Sequence, residues 1–238
     1  MRNTNAPGAL SCAEFSQNII SGCFGPDQVY YKYKTDYWRK GGGFPTPKGK
    51  LELSSTVLEK MGYDPLPYFK EPGESPYSTP ELYKEYPLVL TTGFRSPFYF
   101  LAQYRNIPWL RSFMEYPTMH IHPGTAQKLG IGDGDFVWIE SPRGRIIQKA
   151  HLIPGIDSRV VAATANWFYP EAPARGFRGV FISNPNVLTN NNHQDTMYGS
   201  PDLTCLICKV YKCKAEELKD PQYAGIFEKE HKGKPWSG

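Results

Sequence analysis

The chain has 238 residues, of which 40% are hydrophobic, 14% aromatic and 21% charged. This apolar content excludes a disordered chain, and the length suits one large domain or two small ones, since domains usually have about 100–200 residues. A net charge of +4, spread among acidic residues, argues against a nucleic-acid partner. No apolar run approaches the ~18 residues of a membrane helix, so direct membrane insertion is not expected. Five cysteines are too few for a disulfide framework.

The sequence predicts four segments in chain order. They are a lead-in arm, a turn-strand-helix unit with a Pro-rich connection, a barrel and a charged tail, at residues 1–43, 44–86, 87–213 and 214–238. In the second segment, residues 51–53 predict a short strand, and Ser54 or Ser55 can cap a helix over residues 56–61. The prolines of residues 65–87 cannot donate backbone hydrogen bonds, so this stretch is predicted to be a surface connection.

Six apolar or alternating segments predict the strands of the barrel. They cover residues 88–92, 117–122, 136–140, 146–153, 159–163 and 204–211. Pro123 and Gly130 are placed to begin and end a helix between the second and third strands. The high content of Gly and Pro, 22 residues each, favours short strands joined by turns over a helical bundle. The fold class is therefore mainly β with small helices (α+β), built on a six-stranded barrel.

Cysteine and histidine residues are the first candidates for chemistry. Cys205-x-x-Cys208 followed by Cys213 resembles a metal or redox spacing. Residues three apart on a strand point to opposite faces, however, which favours buried thiols. His120 and His122 share one face of a predicted strand without a carboxylate in the same segment, which favours polar-face residues or a helix cap. A small metal-binding protein that uses these residues is an alternative hypothesis.

A polar binding surface is the stronger prediction. No nucleophile elbow, Walker loop or Gly-x-Gly-x-x-Gly motif is present, so neither a catalytic residue nor a metal ligand is predicted. Residues 91–95, 166–169 and 184–195 instead offer hydroxyl, amide and glycine backbone groups. Arg95 can form a forked contact with phosphate and Trp167 can stack on a ring. These groups predict a nucleotide-like cofactor site, although the Asn-rich run can equally be a loop in which Asn favours turns.

Several short motifs occur in an order that resembles one known family. They are Phe44-x-Thr46-Pro47-x-Gly49-Lys50-x-Glu52, Leu90-Thr91-Thr92-Gly93-Phe94-Arg95, His122-Pro123-x-x-Ala126-x-x-Leu129-Gly130-Ile131-x-Asp133-Gly134-Asp135-x-Val137, Ser141-x-Arg143-Gly144, and Asn184-x-Asn186-x-Leu188-Thr189 followed by Asp195 and Gly199. Each motif is weak alone. Together, over residues 44–211, they resemble the C-terminal molybdopterin-dinucleotide-binding domain of the dimethyl sulfoxide reductase family of molybdopterin oxidoreductases.

This resemblance implies a six-stranded double-psi β-barrel that covers a bis(molybdopterin guanine dinucleotide) cofactor. It implies cofactor contacts for one loop, which contains Thr91, Thr92, Gly93, Phe94 and Arg95, and for a second loop, which contains Asn186, Asp195 and Gly199. It also implies that Trp167 lies beside a pterin and that Lys209, on the last strand, is a pterin neighbour. The sequence departs from the family pattern at two places. Phe94 interrupts the more usual Thr-Gly-Arg order, and Asn166-Trp167-Phe168 replaces a His-Gly-Trp-like segment.

Enzymes of that family are several times longer than this chain and carry an iron–sulfur cluster and a metal ligand in other domains. The resemblance therefore implies a fragment, or a separately encoded piece, that holds part of the cofactor and is inactive alone. Its expected partners are the remaining domains of a catalytic subunit, which hold molybdenum or tungsten, and an iron–sulfur electron-transfer subunit. The compartment stays open: the chain as given is expected to be cytoplasmic, and the protein is exported if a missing N-terminus carries a twin-arginine signal. The alternative is a cofactor-free interaction or assembly module that uses residues 65–87 and the basic tail.

Overall fold

The structure is a computed structural model that describes residues 43–223 together with residues 13, 226 and 227. The chain divides into two compact units, Met1–Phe69 and Lys70–Gly238. Apart from residues 13 and 43, the predicted lead-in arm lies outside the described residues, as does most of the tail after residue 223.

The first unit contains the helix that the sequence predicts. Helix α1 spans Thr56–Lys60, and the Ser55 side chain caps it by accepting a hydrogen bond from the Leu58 backbone N–H at 3.3 Å. The predicted short strand at residues 51–53 does not form. Leu51 and Leu53 are 71% and 83% exposed, so their alternating pattern has no packed face that would hold a strand in place.

The second unit contains short helices around a β-barrel. The helices are α2 (Pro80–Glu85), α3 (Pro108–Arg111), α4 (Pro123–Lys128), α5 (Val180–Ser183) and α6 (Ala215–Leu218), with 3₁₀ turns at Ala174–Gly179, Pro185–Val187 and Pro221–Tyr223. Helix α4 was predicted, and His122 caps it by accepting a hydrogen bond from the Gly124 N–H at 3.0 Å. The helix-cap interpretation of His122 is thereby confirmed. In the part of the chain that the structure describes, no helix has the length and apolar character to cross a membrane.

Six strands close into a barrel. They are β1 (Leu88–Phe94), β2 (Thr118–Ile121), β3 (Phe136–Ser141), β4 (Gly144–Leu152), β5 (Val160–Thr164) and β6 (Leu206–Lys212). Their order around the barrel is β1-β5-β2-β4-β3-β6, and β6 pairs with β1 to close it. Two neighbouring pairs, β1 with β5 and β2 with β4, are parallel, and the other neighbours are antiparallel. The predicted six-stranded double-psi barrel is confirmed.

The barrel is filled by aliphatic side chains that alternate along the strands. The largest buried cluster contains Leu90, Met119, Ile139 and Val161, each with no exposed surface. A second cluster, around Trp167, lies where the chain leaves β5, and a third surrounds Trp138. Burial of apolar surface stabilises such cores by about 25 cal/mol per Å². The barrel therefore gives the ends of its strands a rigid base.

Candidate functional site

The C-terminal ends of β1 and β5 form one edge of the barrel, because these strands run parallel. Their pairing is regular up to Thr91 and resumes only at Phe94, which is opposite Thr164. Within this irregularity the Thr92 N–H and hydroxyl both donate to the Leu203 carbonyl, at 3.1 and 2.5 Å. The sequence predicted that β1 ends at Thr92, whereas the strand continues to Phe94 with a bulge inside the predicted binding segment.

Gly93 leaves this edge open. A Cβ atom at Gly93 would meet nothing closer than 3.9 Å, and the glycine has no positive φ, so neither packing nor backbone conformation among the described residues requires glycine there. A glycine without these local reasons is typical of a backbone that a ligand approaches closely. The exposed Arg95 follows two residues later and forms no ion pair with a described residue. The edge therefore offers backbone amides and one unengaged guanidinium.

The polar run after β5 forms a hairpin that joins the same edge. The Asp195 carboxylate accepts hydrogen bonds from the Met197 and Tyr198 N–H groups, at 3.0 and 2.7 Å, and Gly199 closes the turn with a φ of +65°. The Asp202 N–H then donates to the His193 carbonyl. The next residue of the chain is Leu203, whose carbonyl accepts from Thr92, so the two predicted cofactor loops meet.

A buried carboxylate anchors the loop that contains Asn186. Glu74, whose side chain is 7% exposed, accepts hydrogen bonds from both terminal nitrogens of Arg143, at 2.5 and 2.9 Å, and from the Asn190 amide at 2.9 Å. Arg143 also donates through Nε to the Leu188 carbonyl at 2.8 Å. Burial disfavours ionisation of Glu74, but the hydrogen bonds from Arg143 and Asn190 outweigh it and keep the pKa of Glu74 below its ordinary value of 4.5.

Sequence reasoning missed this anchor. Residues 65–87 were predicted to be a surface connection, yet this stretch contains helix α2 and the buried Glu74. Gly73 also packs so closely on the ring of His193 that a Cβ atom would lie 2.3 Å from it. The Ser141-x-Arg143-Gly144 motif is the sequence signal that could have pointed to the buried carboxylate, since an arginine side chain readily forms a paired contact with a carboxylate.

Trp167 does not have an accessible ring. From the sequence its indole can stack on a ring, and the resemblance implies that it lies beside a pterin, but its side chain has no exposed surface. Tyr99 and Tyr169 contact its ring, and the guanidinium groups of Arg105 and Arg111 lie 4.6 and 5.3 Å from its ring centroid. These groups occupy the surroundings of the indole in this conformation, and its place beside a pterin stays a prediction.

Lys209 lies away from the edge that carries the other predicted residues. Strand β6 runs antiparallel to β1 and places Cys208 opposite Leu88, at the start of β1. The Lys209 ammonium pairs with Glu140 at 3.0 Å and Glu85 at 3.4 Å. The register of β6 thus places Lys209 beside the start of β1, and its role as a pterin neighbour stays a prediction.

The cysteines form no metal site among the described residues. Cys208 is fully buried in the barrel core, and burial raises the pKa of its thiol. Burial likewise raises the pKa of Cys213 to about 12. No group of three or more His, Cys, Asp or Glu side chains in residues 43–223 could hold a metal ion. The buried-thiol interpretation of Cys208 and Cys213 is thereby confirmed.

The fold and this edge together define a β-barrel domain with a polar ligand-binding face. A family model described as the molydopterin dinucleotide binding domain matches residues 88–205. Acetylene hydratase of Syntrophotalea acetylenica is 36% identical over 197 residues, which are 78% of this chain and 27% of the relative. Dimethyl sulfoxide reductase DmsA of Escherichia coli is 35% identical over 173 residues, or 68% of this chain and 20% of the relative. The solved structure of acetylene hydratase from Pelobacter acetylenicus superposes with a TM-score of 0.67 and 34% identity, over 80% of this chain and 26% of that one.

The chain belongs to the molybdopterin dinucleotide-binding domain family of the dimethyl sulfoxide reductase type. It spans about a quarter or less of the length of these relatives. Its cofactor is accordingly the molybdopterin guanine dinucleotide of molybdenum or tungsten enzymes. The residues present fit this group, since the open backbone at Gly93 and the exposed guanidinium of Arg95, which has no ion pair with a described residue, suit a phosphate-bearing ligand. This assignment favours the cofactor-binding interpretation over a cofactor-free module.

Proposed function

We propose that the edge formed by residues 91–95 and the hairpin of residues 193–203 holds the dinucleotide within a larger oxidoreductase. The observation that carries this proposal is the double hydrogen bond from Thr92 to Leu203, which joins the two predicted loops into one surface. Gly93 gives the ligand access to the backbone, and Arg95 supplies a charged donor for phosphate. Asp195 and Gly199 act indirectly by fixing the shape of the hairpin, because the Asp195 carboxylate is already occupied by two backbone N–H groups.

Asn186 is assigned a supporting role at this surface. Its N–H donates to the Asn184 side chain at 3.1 Å, and its carbonyl accepts from Thr189 at 3.0 Å, which leaves its exposed side-chain amide available to a ligand. The chain supplies no metal ligand in this proposal. When bound, the molybdenum or tungsten cofactor supplies the redox chemistry, while hydrogen bonds from the protein orient the dinucleotide and tune the metal.

The proposed partners are the remaining domains of a catalytic subunit and an iron–sulfur electron-transfer subunit. One relative, from Salmonella typhimurium, is named as the molybdopterin-containing subunit of a thiosulfate reductase, with 33% identity over 113 residues, and its name shows that it works in an assembly. Co-expression of this chain with candidate subunits, followed by pull-down, tests the proposal. Recovery of an iron–sulfur protein together with a molybdopterin-containing subunit would support it, and isolation of the chain alone in every combination would contradict it.

Binding of the cofactor tests the proposed surface. The chain is incubated with molybdopterin guanine dinucleotide released from an intact enzyme, and the retained pterin is quantified by mass spectrometry and by fluorescence after oxidation. Arg95→Ala is expected to weaken retention by about tenfold or more, the usual effect of losing one charged hydrogen bond. Arg159→Ala is the matched control, because this arginine is 74% exposed and precedes β5, at the opposite end of that strand. Equal loss in both variants would contradict the proposal.

A further inference from the structure

Arg105 is a buried charge without an adequate partner. It is 2% exposed, and among the described residues its one hydrogen bond is a long contact of 3.5 Å from Nη2 to the Ala165 carbonyl. Its Nε and Nη1 atoms are buried and find no hydrogen-bond partner in the part of the chain that the structure describes. Buried arginines usually have their donors paired, since an unpaired buried donor is costly. This arginine therefore departs from the ordinary pattern.

Within the described residues, the surroundings of Arg105 provide aromatic rings and no carboxylate partner. Its guanidinium carbon lies 4.6 Å from the ring centroid of Trp167, 5.0 Å from that of Tyr99 and 5.6 Å from that of Phe168. Burial lowers the pKa of Arg105 to about 10; the Tyr99 hydroxyl acts to raise this pKa and the neighbouring Arg111 charge to lower it. Arg105 thus keeps its charge at neutral pH, and the rings alone compensate it.

A neighbouring arginine shows what a satisfied site looks like in the same cluster. Arg111 donates through Nε to the Glu115 carbonyl at 2.7 Å and pairs with the Glu171 carboxylate at 2.9 Å. Arg105 has no equivalent. The indole N–H of Trp167 is also buried and has no partner among residues 43–223. Two side chains in mutual contact therefore present three unused donors, a set that an oxyanion with several acceptor atoms would satisfy.

This cluster lies directly beneath the proposed cofactor edge. The Ala165 carbonyl accepts from Arg105, and the Ala165 N–H donates to the Phe94 carbonyl at 3.0 Å. The segment just before the arginine carries the buried Tyr99, whose ring lies 5.0 Å from the guanidinium carbon. An anion can reach the guanidinium if the segment of residues 97–104 moves outward, which would part Tyr99 from Trp167 and break its hydrogen bond to the Met114 carbonyl.

We propose that Arg105, assisted by the Trp167 indole N–H, is an oxyanion-binding site that takes the diphosphate of the dinucleotide. The choice of the dinucleotide as the source of the anion rests on the proposed function. The anion chemistry does not, because it follows from the unpaired donors alone. Trp167 thereby acts through its N–H and not by stacking of its ring.

The test uses the full chain with inorganic pyrophosphate as the probe. Pyrophosphate binding is measured by calorimetry and by the shift of the unfolding temperature, for the wild type, Arg105→Met and the control Arg159→Gln, which removes an exposed charge. Wild type and control are expected to bind, and Arg105→Met is expected to lose at least about tenfold in affinity. Without pyrophosphate, Arg105→Met is expected to unfold at the same or a higher temperature than wild type, because it removes an unpaired buried charge.

Equal binding of pyrophosphate by wild type and Arg105→Met, or no binding by either, would overturn the inference, and so would a lower unfolding temperature of Arg105→Met in its absence. If Arg105→Met does not fold, Arg105→Lys takes its place, and it is expected to bind several-fold more weakly because it loses the planar fork of donors. Dinucleotide binding separates the two proposals. If wild type binds the dinucleotide and Arg105→Met binds it equally well, the inference about Arg105 is contradicted and the proposed function is not. Pyrophosphate binding that depends on Arg105, without dinucleotide binding, supports the anion site and contradicts the proposed function.

Discussion

The substitution Glu74→Gln tests the anchor of the Asn186 loop. In the native state the Glu74 carboxylate compensates the Arg143 guanidinium, accepts from the Asn190 amide and receives a backbone hydrogen bond from Ile207. Glutamine keeps the shape of the side chain but loses the charge, and its amide N–H groups would face donors. The substitution therefore leaves Arg143 without its counter-charge in a setting that water only partly reaches.

The magnitude follows from the burial of the two partners. Removing one member of a fully buried ion pair costs about 3–5 kcal/mol. Because the Arg143 side chain is 24% exposed, water can recover part of this loss. We expect Glu74→Gln to lower the free energy of unfolding by about 2–4 kcal/mol. Glu81→Gln is the matched control, since Glu81 is 83% exposed in its pair with Lys84 and is expected to change stability by less than about 0.5 kcal/mol.

Urea denaturation at pH 7, followed by circular dichroism, measures both variants. A double-mutant cycle with Arg143→Met isolates the interaction, and the double variant should be less destabilised than the sum of the single ones. Because the pKa of Glu74 is held below its ordinary value of 4.5, the stabilisation should be fully present above that pH and disappear as the pH falls through the folded-state pKa. A loss below about 1 kcal/mol at pH 7, or equal effects in Glu74→Gln and Glu81→Gln, would refute the reasoning.

Three further predictions concern single positions. Gly73→Ala places a Cβ atom against the exposed ring of His193, at the start of the hairpin, so dinucleotide retention should fall. The free energy of unfolding in a urea titration should drop by less than about 1 kcal/mol. Gly155→Ala, whose Cβ atom would have no contact closer than 3.9 Å, should change neither retention nor stability. Burial and the neighbouring His151 lower the pKa of His120 to about 4. Because the unfolded chain then binds the proton more tightly, the free energy of unfolding should rise with pH between about 4 and 6.5. A wild type whose pH profile matches that of His120→Gln would disprove this. Cys208 should react with a thiol reagent only on unfolding, and rapid labelling of the native chain at this position would be incompatible with its burial.

The barrel could be predicted because each strand carries its own local signal. The continuous apolar run at 88–92 and the alternation at 117–122 place β1 and β2 to within about two residues of their observed ends. The departures have physical reasons. The alternation at 51–53 lacks a packed face, and helix α2 forms in a Pro-rich stretch because its proline occupies the first turn, where no backbone donor is needed.

The candidate site was less accessible from the sequence. Its loops were located by their polar residues together with the resemblance, and Gly93 and Arg95 do lie on an open edge. The contact between Glu74 and Arg143 joins residues 69 positions apart, and no local pattern reports such a separation. The ion pairs of Lys209 with Glu140 and Glu85 were not predicted for the same reason, since strand order and register decide which residues meet.

Hydrogen exchange of the chain with and without molybdopterin guanine dinucleotide shows where the cofactor binds. If the cofactor contacts the edge formed by residues 91–95 and 193–203, exchange in these two segments becomes slower on binding, and exchange is unchanged at residues 152–159, which lead from the end of β4 to the start of β5. The Arg159 carbonyl accepts from the Val89 N–H, so these residues lie at the end of the barrel where β1 begins. Protection at residues 152–159 without protection at residues 91–95 would contradict the proposed site.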